Sequence, residues 1–186
     1  MFPAKTIESQ KLVADKLMAE LKQQFGNATV AGGSPRDWYF GETARDIDVY
    51  VKLEDTGIMC KSKAEYQADA IRGVTNIYLL KPKMLGKQDE SYGDISDLKT
   101  FICAFEMYYE GNMVNIIFLK GKDQEVYDHF DMSICKIKYE NGVIRESGDF
   151  ADTIESGIIA VSHLAPKHLL KMLPRFKKFA FKYIGG

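Results

Sequence analysis

Apolar residues recur at helical spacing from about Thr6 to Phe25, with Leu12, Leu17, Leu21 and Phe25 marking one face and Lys and Glu the other. That period predicts an amphipathic helix, and Gly26-Asn27 supplies its stop. The short run Ala28-Thr29-Val30-Ala31 reads as a strand leading straight into Gly32-Gly33-Ser34-Pro35. Proline suits a first helical position, where its missing N–H costs nothing, so Arg36 to Phe40 is predicted as a short helix ended by Gly41. The period then changes. Ile47, Val49 and Val51 alternate with Asp46, Asp48 and Tyr50, the pattern of a strand with one apolar face.

Further along, Lys63 to Arg72 again has helical spacing. The stretch from about Lys81 to Asp97, rich in Gly, Lys, Asp and Ser, reads as a mobile loop. Two apolar runs, Phe101 to Tyr108 and Met113 to Leu119, flank Glu110-Gly111-Asn112 and predict a hairpin. Lys122 to Phe130 fits a short helix. Asp131 to Tyr139 and Val143 to Arg145 predict a second hairpin across Glu140-Asn141-Gly142, because Asn-Gly accepts the positive φ angles of a tight turn. From Asp149 onward the spacing is helical, punctuated by Pro166 and Pro174. There is no internal repeat and no low-complexity tract. The succession implies an α/β (α+β) fold, a mixed β-sheet with flanking helices: residues 1–148 form the core and residues 149–186 a C-terminal helical segment packed on it.

Composition narrows the function classes. A chain of 186 residues buries a core without metal or disulfide staples. Its formal net charge of −1 excludes a whole-surface field that gathers nucleic acid, leaving local patches for that purpose. Cys60, Cys103 and Cys135 are far apart, with no Cys-x-x-Cys pair, and read as reduced intracellular thiols. His129, His163 and His168 show no metal-ligand spacing either. No apolar run reaches the length of about 18 residues that a membrane span needs, and Met1-Phe2-Pro3-Ala4-Lys5 leads into an amphipathic stretch, not a signal-peptide core. A cytoplasmic protein without membrane contact is expected.

The chemistry-bearing residues fall in one stretch. Gly32 and Gly33 permit a turn tight enough for backbone N–H groups to approach a phosphate oxygen, and Ser34 adds a hydroxyl donor. The helix that follows points its positive end at the same place, and Arg36 on its first turn has the forked geometry that phosphates accept. Asp46 and Asp48 stand two residues apart, so on a strand their side chains share a face. Carboxylates that close repel unless a cation or proton lies between them, and paired oxygens are what Mg²⁺ prefers. A solvent-exposed strand face with idle acids is the alternative for such a pair taken alone.

Taken with its context, Gly-Gly-Ser-Pro-Arg-Asp-Trp-Tyr-Phe-Gly-Glu-Thr-Ala-Arg-Asp-Ile-Asp-Val-Tyr-Val, covering Gly32 to Val51, resembles the head-domain signature of CCA-adding enzymes and bacterial poly(A) polymerases. The resemblance implies the DNA polymerase β-like nucleotidyltransferase fold. It also implies that Gly32, Gly33 and Ser34 hold a triphosphate, that Asp46 and Asp48 bind Mg²⁺ (or Mn²⁺), and that Arg36 and Asp37 orient the nucleotide or brace the site. An NTP is then the substrate, with RNA or tRNA among the candidate acceptors. The superfamily usually adds a third acid on a neighbouring strand. By the CCA-adding pattern that place falls at Asn115, whose amide is a poorer metal ligand. Asp131 is the favoured catalytic and metal-binding candidate: Phe130-Asp131-Met132-Ser133-Ile134-Cys135 resembles strands of eukaryotic-type poly(A) polymerases and of small phage and bacterial nucleotidyltransferase-like proteins. Glu106 is a weaker alternative.

Near the C-terminus, Lys167, Lys171, Arg175, Lys177, Lys178 and Lys182 mix with Phe176, Phe179, Phe181 and Tyr183. A basic face with aromatics suits a nucleic-acid backbone or nucleotide phosphates; a solvated helix docking its Phe residues on the core fits equally. The ending resembles the Pro…Arg-x-x-Lys helices of the small nucleotidyltransferase-like proteins, which implies nucleotide contacts for Arg175 and Lys178. The reading that results is a metal-dependent nucleotidyltransferase acting on an RNA end, a small molecule or a protein. Competing with it are a toxin or defence enzyme of the same fold and a nucleotide-binding regulator that has lost catalysis.

Overall fold

The structure, a computed structural model, describes residues 5–53, 61–78, 83–85, 100–121, 126–161 and 166–185. Helix α1 (Ile7–Phe25) starts where Thr6 and Ser9 exchange side chain-to-backbone hydrogen bonds of 3.1 and 2.9 Å, and ends on Gly26 at φ 85°. Its buried stripe is Gln10, Val13, Ala14, Leu17, Met18 and Leu21. Leu12 falls off that i, i+3, i+4 stripe and is 70 % exposed, which corrects its expected place on the inner face.

Strands β1 (Thr29–Ala31), β2 (Asp46–Leu53), β3 (Lys83–Leu85), β4 (Phe101–Tyr109), β5 (Asn112–Lys120), β6 (Ile137–Glu140) and β7 (Val143–Glu146) form one sheet in the order β3-β4-β5-β2-β1-β6-β7. Only the central β2–β5 pair is parallel, so the sheet is mixed. On one face, α1 and helix α3 (Lys63–Tyr78) pack on Val30, Ile47, Val49, Val51, Val114, Ile116 and Phe118. On the other face Tyr50, Ala104, Ile117, Val126 and Phe130 form a second apolar cluster. A third cluster joins Met132, Ile134, Ile137 and Phe150 to Phe179, and so seats helices α4 (Gly148–Ser156) and α5 (Pro166–Ile184).

Both predicted hairpins are present. Glu110 and Gly111 turn the first at φ 45° and 79°, and Asn141 and Gly142 the second at 52° and 78°. Several boundaries differ from the expectation. Helix α2 (Gly33–Tyr39) begins before Pro35, which sits inside its first turn. Helix α3 runs on to Tyr78, and β3 occupies part of the predicted loop, whose remainder lies outside the described residues. The helix expected from Lys122 is, in its described part, a single 3₁₀ turn at Val126–His129. Asp131 stands in a bend, followed by another 3₁₀ turn at Ser133–Cys135, so no strand begins before Ile137. Helix α5 continues through Pro174. Among the described residues no helix is long and apolar enough to cross a membrane.

One buried polar side chain locks the approach to β2. Gln10 is fully buried; its Nε2 donates to the Ala44 carbonyl (2.9 Å) and Asn112 Oδ1 (3.1 Å), while its Oε1 accepts from Trp38 Nε1 (3.0 Å) and the Ala44 N–H (2.8 Å). An amide has two donors and two lone pairs, and all are used. Replacing it by leucine keeps much of the volume but orphans the partners, so Gln10→Leu is expected to cost about 3 kcal/mol. Urea denaturation followed through Trp38, the sole tryptophan, measures this, with exposed Leu12→Ser as a control expected to stay within about 0.5 kcal/mol.

Candidate active site

Alternation along β2 buries Ile47 and Val49 and leaves Asp46 and Asp48 partly open on the opposite face. Extending the β1–β2 register by one residue sets Ala31 opposite Asp48, so the Gly32–Ser34 turn emerges at the strand end that holds both acids. The glycine turn and the acid pair therefore meet. Asp46 accepts from Arg45 at 2.9 and 3.2 Å, and Asp48 Oδ1 accepts from Asn115 Nδ2 at 2.8 Å.

Gly32 adopts φ 83°, ψ −118°, a conformation that L side chains rarely take. Its N–H donates to the Ile137 carbonyl at 2.9 Å, and a Cβ there would come within 3.4 Å of the Phe130 ring. Phe130 in turn meets Tyr50 edge-on at 5.6 Å, filling the space behind the turn. Ser34 is only 1 % exposed, and its Oγ has no hydrogen-bond partner. A buried hydroxyl without a partner is unfavourable, and a phosphate oxygen at this turn would supply one.

Arg36 does not face solvent. Its guanidinium is buried under the Phe179 and Tyr183 rings of α5, with centroids at 4.2 and 5.1 Å. Its Nε and one terminal nitrogen donate to Asp37 Oδ1 at 3.1 and 2.9 Å, and the other terminal nitrogen lies 3.4 Å from Cys135 Sγ. Tyr183 donates to the same Asp37 oxygen at 2.6 Å. Burial disfavours the arginine's charge, but Cys135, Asp37 and Tyr183 outweigh that and raise its pKa. Of the two roles expected for Arg36 and Asp37, this geometry is that of a brace tying α2 to α5, not of an open phosphate fork. Lys182 strengthens the tie by pairing with Glu42.

Asp131 is not on a strand beside the pair. It sits in a bend six residues before β6, and β6 lies against β1, not β2. Among the described residues no three His, Cys, Asp or Glu side chains are grouped as a metal site. Instead the sheet register sets Glu106, Asn115 and Asp48 in one row across β4, β5 and β2. Two further residues lie beside these: Tyr50, at i+2 from Asp48 on the same face, and Cys135, against Arg36. Burial pushes the Tyr50 phenol well above its usual range; Asp48, Cys135 and Asp46 push it further, and Arg175 opposes them. Arg175 of α5 is thus within electrostatic reach of Tyr50, while Lys178 is exposed on the same helix. Phe179 docks on the core, and Phe181 is 81 % exposed.

No protein-family model matches the chain, and no curated protein matches its sequence. Solved structures do match its fold. A CCA-adding enzyme in complex with ATP superimposes with a TM-score of 0.55 at 17 % identity, covering 94 % of this chain and 39 % of its own. A tRNA nucleotidyltransferase complexed with a primer tRNA and an incoming ATP analogue gives 0.50 at 14 % identity over 88 % of this chain and 44 % of its own. A tRNA-processing enzyme gives 0.50 at 13 % identity, over 90 % and 42 %. The chain spans about two fifths of the length of these proteins and shares the nucleotidyltransferase fold with them.

Truncating Arg36 tests the brace. Arg36→Ala removes the principal partner of a mostly buried carboxylate, and loss of one member of such a pair costs about 3 kcal/mol or more. Tyr183→Phe, which deletes a single hydrogen bond to the charged Asp37, is expected to cost about 1.5–3 kcal/mol. Thermal and urea denaturation of both variants give the order.

Proposed function

We propose that this chain is a metal-dependent nucleotidyltransferase that moves a nucleoside monophosphate from an NTP to a hydroxyl acceptor on an RNA end, a small molecule or a protein. The observation that carries the proposal is the meeting of Asp46 and Asp48, on one open strand face, with a glycine turn whose Ser34 hydroxyl is buried without a partner. The shared fold with nucleotidyltransferases supports it.

The donor set suits a hard divalent cation, since Asp46, Asp48 and the neighbouring Asn115 offer oxygens and no thiolate or imidazole. Asp46 and Asp48 would hold Mg²⁺ or Mn²⁺, with Asp131 or Glu106 as the candidate third acid. The cation's chemistry is to neutralise the triphosphate and make the acceptor hydroxyl easier to deprotonate. The backbone N–H groups of Gly32 and Gly33 and the Ser34 hydroxyl would grip phosphate oxygens. Arg36 and Asp37 keep the turn and α5 in fixed relation, and α5 brings Arg175 and Lys178 as further positive charge for the phosphates. The acceptor oxygen bonds to the α-phosphorus, the bond to the β-phosphate oxygen breaks, and pyrophosphate leaves. An adjacent carboxylate takes the hydroxyl proton. Positioning and charge neutralisation do most of the catalysis.

Incubating the purified chain with each α-labelled NTP, Mg²⁺ or Mn²⁺, bulk RNA and bulk protein tests this. Label is expected to enter RNA, protein or a small-molecule acceptor, and Asp48→Ala is expected to lower transfer by about 100-fold or more. Saturable NTP binding with no transfer would reassign the chain as a nucleotide-binding regulator; neither binding nor transfer would sink the proposal.

A further inference from the structure

Glu106, Asn115 and Asp48 occupy directly opposed positions on β4, β5 and β2. Opposed residues share a face, so all three rise from the face that carries Asp46 and Tyr50. Asn115 is committed on one side. Its Nδ2 donates to Asp48 Oδ1 at 2.8 Å, which turns its own Oδ1 away from β2. Asn115 is 3 % exposed, and that Oδ1 has no hydrogen-bond partner. Rotating the amide by half a turn would only set oxygen against the Asp48 carboxylate. A buried carbonyl oxygen between two acids is therefore left wanting a positive partner, and a divalent cation coordinates carbonyl and carboxylate oxygens alike.

We infer, building on the proposed reading of the site, that Glu106 supplies its third carboxylate: Asp48 and Glu106 hold a divalent cation between them, with Asn115 Oδ1 as a neutral ligand. Side-chain length makes this workable. Neighbouring strands lie about 4.8 Å apart, so β4 is roughly twice that from β2. Metal–oxygen distances of about 2.0–2.6 Å on either side of a cation would cover roughly half of that span, and the two side chains, the longer of them glutamate, would lean inward to cover the rest. The row thus places a neutral oxygen on the middle strand and moves the missing charge one strand outward. On its other flank Glu106 stands opposite Lys83 in the β3–β4 register. A purely structural role for Glu106 predicts altered stability with cation binding unchanged.

Mn²⁺ binding to the purified full chain, followed by calorimetry and by the electron paramagnetic resonance of free Mn²⁺, separates these roles without relying on activity. The wild-type chain is expected to bind Mn²⁺. Glu106→Gln, close to isosteric, is expected to weaken binding tenfold or more, as is Asp48→Asn, whereas Asn115→Asp tightens it and Asp131→Asn changes it less than twofold. Should Glu106→Gln fail to fold, Glu106→Asp takes its place, with weakened binding again the expected result. Loss of affinity in Asp48→Asn but not in Glu106→Gln overturns this inference and leaves the proposed site standing. Loss in Asp131→Asn, with Glu106→Gln unchanged, assigns the third acid to Asp131. A wild-type chain that binds no Mn²⁺ at millimolar concentration overturns the inference and the cation requirement together, and the labelled-NTP assay then decides the remainder.

Discussion

The parallel pairing of β2 with β5 is the constraint on which the rest of the molecule depends. It runs through eight registered pairs, from Asp46 opposite Met113 to Leu53 opposite Lys120. Ile47, Val49 and Val51 hold it in place from the side covered by α1 and α3. A slip of one residue would carry these three to the open face and drive Asp46 and Asp48 into the core, exchanging apolar burial for unpaired buried charge. Burial of the apolar residues therefore decides where the acids stand. The sheet's stability and the site's geometry rest on the same alternation.

Two polar locks transmit that placement to the ends of the strand. Gln10 joins α1 to Ala44, just ahead of Asp46, and uses its full hydrogen-bonding capacity in doing so. Arg36, Asp37 and Tyr183 join α2 to α5 on the far side of the glycine turn. Neither is a cheap arrangement, since burying a guanidinium costs several kcal/mol unless it is paired and packed. Here the pairing comes from Asp37 and the packing from Phe179 and Tyr183. The turn between the locks is left with a single strained residue, Gly32, and an unpartnered Ser34 hydroxyl, which is where an incoming anion would gain most.

Much of this was legible from local pattern. The period change between α2 and β2 located the acid pair, the Asn-Gly and Glu-Gly turns located both hairpins, and the Gly32–Val51 signature pointed to the fold. What misled was also local. Asp131 opens an apolar stretch that reads as a strand, yet Met132 and Ile134 are buried within a 3₁₀ turn and its flank, packed on Phe150 and the C-terminal helices. The burial of Arg36 has no local signal either, because Phe179 and Tyr183, which cover it, stand more than 140 positions away.

By itself the sequence determined the periodicities, the turn chemistry and the i, i+2 relation of Asp46 to Asp48, because each depends on backbone geometry within a few residues. Only the tertiary structure decided which strands are neighbours, and with them the row of Glu106, Asn115 and Asp48 and the enclosure of Arg36. Those relations join residues tens of positions apart through pairing and packing, and neither leaves a periodic trace in a single chain.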